Sequence, residues 1–168
     1  MLAIGYLATP VPAAAGNGKP FKGNWVLVYP CKNATGLYAE RCHQGARDMF
    51  SLYDLTQVGA QLCGYHLATA HLGNRVDEGD LSGNGPSIYG VVHGNVARIR
   101  FRSGRTGEIG HATLTRKADT LVWHVTKPLQ RWEESWIPND AVLRKDRRQP
   151  HPHELRCTQA PTTRSPVH

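Results

Sequence analysis

"NVARIRFRSGRTGEIGHATLTRKADTLVWHV", residues Asn95 to Val125, alternates apolar and polar side chains through three segments separated by turn-forming residues. Alternation of this kind puts successive side chains on opposite faces of a β-strand. In the first segment Ala97, Ile99 and Phe101 share one face, while Val96, Arg98, Arg100 and Arg102 share the other. In the second, Gly110, Ala112 and Leu114 oppose Ile109, His111, Thr113 and Thr115. In the third, Leu121, Trp123 and Val125 oppose Val122, His124 and Thr126. Reading Gly104 to Gly107 as the first hairpin loop sets Ser103 opposite Glu108, so that Ile99 faces Ala112 and Arg100 faces His111. Pairing Leu114 with Leu121 in the second hairpin sets Ala112 against Trp123 and His111 against His124. The expected result is an inner row of Ile99, Ala112 and Trp123 and an outer row of Arg100, His111 and His124. A one-residue slip would put apolar against polar in either hairpin.

Working outward, the same punctuation recurs. "GNWVLVYP", "DMFSLYDLTQ", "QLCGYHLATAHL", "SIYGVV" and "AVLRK" read as further strands, and "NRVDEGDLSGNGP" as a long polar loop. Short helices fit in "RCHQGARDMF" or "LQRWEESW" without changing the class. The 17 glycines exceed what helix caps need and suit many tight turns. The fold class expected is all-β, a single domain forming an eight-stranded antiparallel up-and-down barrel. Closure removes the exposed edges that such a meander otherwise leaves.

The barrel domain spans residues 19–145. Residues 1–18, "MLAIGYLATPVPAAAGNG", form a signal-like segment with an apolar stretch and a small-residue Ala13-Ala14-Ala15 run, but no basic residue ahead of it. It points to a secreted or periplasmic protein. No run of 18 apolar residues is present, so no helical membrane span is expected. Residues 146–168 form a basic, Pro-rich tail without periodicity, expected to be disordered. The net charge of +7 is uneven: residues 1–140 hold 14 basic and 11 acidic side chains, and residues 141–168 hold 6 and 2.

Four cysteines, Cys31, Cys42, Cys63 and Cys157, contain no CxxC pair and in an exported chain suggest disulfides. Four cysteines allow three pairings. Cys31 with Cys42 closes a short loop and is preferred; Cys63 then pairs with Cys157 or stays free.

The first strand opens on "FKGNW". Gly23-Asn24-Trp25, a GxW at the start of an eight-stranded barrel, resembles the lipocalin and avidin superfamily of calycin-type barrels. The resemblance implies that Trp25 closes one end of the barrel and that an Arg near the last strand, here Arg144, packs over it. It also implies a small apolar ligand at the barrel mouth. The TDY-like motif of many lipocalins is absent.

Catalytic motifs are missing: there is no GxSxG, Walker loop or GxGxxG. Of the nine histidines, His66 and His71 fall on opposite faces of one strand. His111 and His124, as cross-strand neighbours, would approach to about 5 Å at Cβ, but only His93, on a turn, offers a third ligand for Zn²⁺ or Cu²⁺. "DLSGNG" (Asp80, Ser82, Asn84, Gly85) matches the front of a calcium loop, yet Val91 stands where the closing Glu belongs. No metal or other cofactor is expected. Asn33-Ala34-Thr35 is an N-glycosylation sequon. Nucleic acid fits poorly, because Phe101 and Trp123 lie on the face opposite the arginines rather than interleaved with them.

Three functions remain. A non-catalytic barrel would bind a small apolar ligand through Trp25, Tyr65, Ile99, Phe101 and Trp123. Alternatively, an envelope inhibitor or immunity-type protein would dock an acidic protein partner on Arg98, Arg100, Arg102, His111 and His124. A hydrolase using loop carboxylates and histidine is the third.

Overall fold

The computed structural model describes residues 20–32, 34–79, 85–148 and 153–157. The signal-like segment, the sequon's Asn33, the calcium-like Asp80, Ser82 and Asn84, and the end of the tail lie outside them.

Among the described residues, nine strands and one helix follow in the order β1 (Gly23–Val28), α1 (Gly36–His43), β2 (Met49–Val58), β3 (Gln61–Ala70), β4 (Arg75–Glu78), β5 (Ile88–His93), β6 (Val96–Arg102), β7 (Ile109–Lys117), β8 (Thr120–Lys127) and β9 (Asp140–Lys145). A single turn of 3₁₀ helix, Trp132–Glu134, sits between β8 and β9. All strand pairs are antiparallel, and β1, β2, β3, β5, β6, β7, β8 and β9 form a closed ring in chain order. This is the expected eight-stranded barrel. The ninth strand, β4, arises inside the segment read as a polar loop and pairs only with the second half of β3. Four residues without alternation carry no strand signal of their own.

The β6–β7 hairpin has the expected register: Ile99 faces Ala112 and Arg100 faces His111. The β7–β8 hairpin does not. Leu114 pairs with Trp123, not Leu121, and Thr113 pairs with His124. The turn tightens onto Ala118 and Asp119, with Ala118 at φ 47°. A bulge between His111 and Ala112 then sets His111 against Lys127. The shift is two residues, so every side chain keeps its face while its cross-strand neighbour changes. The inner row becomes Ile99, Ala112 and Val125, and the outer row becomes Arg100, His111 and Lys127.

The inner faces fill the barrel. Trp25, Trp123, Phe21, Phe50, Phe101, Leu52, Leu55, Leu62, Leu114, Leu121 and Leu143 are buried. The Trp123 indole meets Phe50 edge-on at 5.1 Å and Phe101 at 5.0 Å, so rings from β2, β6 and β8 touch inside the barrel. Gly110 makes room for this: a Cβ there would lie 2.3 Å from the Phe101 ring.

Toward one end of the barrel Trp25 is buried, 1% exposed. Its indole N–H donates to the Phe21 carbonyl at 3.0 Å. The cations over its face are Arg116, 4.7 Å from the ring centroid, and Lys145, 4.5 Å away. Arg144, the expected cover, is exposed on the outer wall. Strand parity explains the substitution: Ala141 and Leu143 point inward, so Lys145 follows them and Arg144 does not. Lys145 lies directly opposite Trp25 and donates to the Lys22 carbonyl. Burial, and secondarily the Arg116 charge, lower its ammonium pKa.

Two disulfides cross-link the described residues. Cys31–Cys42 ties the loop after β1 to α1, as preferred from spacing. Cys63–Cys157 joins β3 to the tail across a separation of 94 residues. The tail expected to be disordered is therefore anchored over residues 153–157. The β2 bulge between Tyr53 and Thr56 receives it: His153 N–H donates to the Asp54 carboxylate at 2.8 Å, and Leu155 N–H to Thr56 Oγ1 at 3.1 Å. The two disulfides suggest an oxidising, extracellular or periplasmic environment. Among the described residues no helix is long and apolar enough to cross a membrane.

Removing the plug at the Trp25 end leaves a large void beneath two cations. Trp25→Ala is expected to lower stability by about 3–5 kcal/mol in urea unfolding; a loss under 1 kcal/mol would mean the indole does not close the barrel.

Candidate functional site

Three places could carry a function: the interior, the polar end opposite Trp25, and the outer wall. The interior is built from the residues expected to line a ligand site. Trp25, Ile99, Phe101 and Trp123 are 1%, 3%, 1% and 0% exposed. They contact one another or other core side chains, so they act as filling rather than lining. Tyr65 is not among them. In β3 the inward positions are Leu62, Gly64, His66 and Ala68, which puts Tyr65 outside, stacked on Tyr53 at 5.3 Å. The Tyr53 hydroxyl donates to Glu78 at 3.0 Å.

At the end opposite Trp25 the inward side chains turn polar. His66 from β3, Asp77 from β4, Ser87 before β5 and Ser103 after β6 converge, none more than 2% exposed. His66 Nδ1 lies 2.9 Å from Ser87 Oγ, and His66 Nε2 lies 3.4 Å from Asp77 Oδ1. The Ser103 hydroxyl donates to Asp77 Oδ2 at 2.6 Å, and Gly104 N–H to Oδ1 at 2.7 Å. With a carboxylate beside Nε2, that nitrogen carries the proton, and Nδ1 accepts from the Ser87 hydroxyl. Gly104 reaches Asp77 only because it lacks a Cβ, which would sit 2.0 Å from the Glu78 carbonyl oxygen.

The Ser87–His66–Asp77 order is that of a nucleophile, base and orienting acid. Its surroundings are those of a structural plug. Ser87 Oγ also accepts the His66 backbone N–H at 3.1 Å, and the loop of residues 128–139 covers this end with buried Leu129, Ser135 and Ile137. All three groups are enclosed, none more than 2% exposed. What the network does is satisfy a buried acid and a buried imidazole at once. Sequence reading missed it because its members come from four separate segments.

The covering loop is latched from outside. Glu108 accepts from Arg131 N–H and from Arg131 Nε, both at 3.0 Å, and Arg131 also donates to the Thr106 carbonyl at 2.9 Å. The backbone and then the side-chain hydrogen bonds of Arg131 hold the Glu108 carboxyl below its ordinary value.

The outer wall of β5, β6 and β7 carries the expected basic stripe. Arg98 is exposed, and Arg100 and Arg102 are half-buried. Arg100 sits between Tyr89 on β5 and His111 on β7, its guanidinium 5.8 Å from the Tyr89 ring centroid. Burial raises the Tyr89 hydroxyl pKa against the lowering pull of Arg100 and Arg102. Exposed apolar side chains interleave with the cations: Val91, 45% exposed, faces Arg98, and Ile109, 39% exposed, faces Arg102. His124 stands apart from the stripe. It faces Thr113 rather than His111, and its Nδ1 lies 2.6 Å from Asp140. The expected His111–His124 pair does not form, and Lys127 takes the place beside His111. Tyr89, Val91, Ile109 and Lys127 were overlooked as surface partners; the face parity of "SIYGVV" was the available signal for the first two.

Two measurements probe the polar end. Asp77→Ala removes the acceptor shared by His66, Ser103 and Gly104, and is expected to cost about 3–5 kcal/mol of stability by chemical denaturation. A near-neutral result would detach the network from the fold. The Glu108 latch has a defined pH sign. Its carboxyl pKa is lower folded than unfolded, so the unfolded state binds more protons near the ordinary value of 4.5. The latch contribution is present above that pH and fades as pH falls below it. The protection factor of the Arg131 amide, its exchange rate relative to the intrinsic rate at the same pH, should therefore fall on acidification, and Glu108→Gln should abolish that fall. A dependence that survives the substitution assigns it to another group.

Comparison of the chain with protein-family models, with curated proteins and with solved structures finds no match.

Proposed function

We propose that this protein is an exported, non-catalytic binding protein of inhibitor or immunity type, which docks an acidic protein partner on the outer wall of its barrel. The observation that carries this reading is the division of the aromatic side chains. Of those expected to line a ligand cavity, Trp25, Phe101 and Trp123 are buried, with the Trp123 indole within 5.1 Å of two phenylalanine rings, and Tyr65 lies outside. The accessible chemistry lies outside, where Arg98, Arg100, Arg102 and His111 alternate with Tyr89, Val91 and Ile109. Arginine and tyrosine among small apolar patches suit protein recognition. Arginine in particular matches carboxylates bidentately.

A calycin-type ancestry is compatible with this use. Gly23-Asn24-Trp25 opens the barrel, and a cationic cover over the indole is present, supplied by Arg116 and Lys145. In this reading the barrel is a rigid support whose cavity has been filled. An apolar-ligand function would need that filling to move aside.

Arg98→Glu with Arg100→Glu is expected to reduce association with a captured partner at least 100-fold while circular dichroism stays unchanged. Unchanged association moves the site to the loops. In parallel, titration with fatty acids is expected to leave tryptophan fluorescence flat, and a saturable change would restore the ligand reading.

A further inference from the structure

The covered end of the barrel carries a second cationic feature that the wall reading does not use. Trp136, in the loop between β8 and β9, is half-buried and holds φ 53°, a left-handed conformation costly for a bulky residue. The Arg105 guanidinium lies 4.4 Å from its ring centroid and that of Arg75 lies 5.5 Å away. Both arginines are exposed. Among the described residues neither is in an ion pair. Two like charges are thus gathered on one indole without a neutralising acid among the described residues. Glu134 offers Arg105 Nε its backbone carbonyl, at 2.9 Å, while its carboxylate lies 3.9 Å from Arg131.

The arrangement is held rigidly from beneath. Arg105 N–H donates to Ser103 Oγ at 3.2 Å, and that same hydroxyl donates to Asp77. Arg75 opens β4, two residues before Asp77. The buried network therefore fixes the backbone under both guanidiniums. Cation–π contact orients each one while leaving N–H groups free to donate. A preorganised pair of forks over an aromatic floor matches a carboxylate, because each guanidinium can bind one bidentately.

We infer that Arg75, Trp136 and Arg105 form a carboxylate-binding clamp for an acidic peptide segment of the partner. This deepens the partner reading above and depends on it for the identity of the ligand. The clamp itself can be tested alone, with a hexaglutamate peptide as the probe. Titration into ¹⁵N-labelled protein at low salt is expected to shift the Trp136 indole N–H saturably. Arg75→Gln with Arg105→Gln should weaken that binding at least 10-fold, with the remaining spectrum unchanged as evidence of fold. Arg98→Glu with Arg100→Glu should leave the Trp136 shift in place. Failure of the wall reading and failure of the clamp are thereby separated. Hexaglutamate that leaves Trp136 unmoved, or that binds the Arg75/Arg105 variant equally well, overturns the clamp. Inorganic phosphate that shifts Trp136 at concentrations where hexaglutamate does not overturns the carboxylate assignment.

Discussion

Closure of the sheet forces an inside, and the contact of Trp123 with Phe50 and Phe101 is how this sequence fills it. The three rings come from β8, β2 and β6, so one aromatic cluster ties together distant parts of the ring of strands. Protein interiors are packed as densely as organic crystals. Once indole and phenyl rings occupy the axis, little freedom remains for a guest, and alternation sends every intervening side chain outward. The same constraint makes the interior filling, and the function proposed for this protein accordingly uses the wall and loops.

The two ends solve closure differently. At one, an apolar plate, Trp25, is covered by Arg116 and Lys145, which keep their charge near water while burying their stems. At the other, four polar side chains meet within the wall and satisfy each other, and the loop of residues 128–139 lies over them. The Trp123 indole N–H donates to the Pro138 carbonyl at 2.8 Å, so the central ring also anchors the covering loop. Core packing, the polar network and the exposed cations at that end are thus one continuous structure. A rigid base of this kind lowers the entropy lost when a partner docks.

The alternation of "VARIRFR", "EIGHATLTR" and "TLVWHVT" was enough to assign inside and outside, because a period of two has only two faces to choose between. It was also enough for the β6–β7 register, where glycines bracket the loop. It could not give the β7–β8 register, since a two-residue shift leaves every face unchanged, and Ala118 gave no warning that it would turn left-handed. The outer trio of Arg100, His111 and His124 was lost for that reason alone. Parity along Ala141, Leu143 and Lys145 did favour Lys145 over Arg144, but family resemblance drew attention to the arginine. Tyr65 was misplaced because His66, a polar residue, takes the inward position. The His66–Asp77–Ser87–Ser103 network and the Arg75–Trp136–Arg105 cluster each unite residues from separate loops and strands, and only closure of the barrel brings them together. Cys157 in a polar tail gave no hint of the bulge in β2 that would receive it.

The claim on which the functional account rests is that the barrel is full. Crystals equilibrated under xenon pressure test it directly, because xenon enters apolar cavities that water leaves empty. The account predicts no xenon inside the ring of strands. An ordered xenon atom beside Trp123, Phe50 or Phe101 would reveal a hollow interior and contradict it.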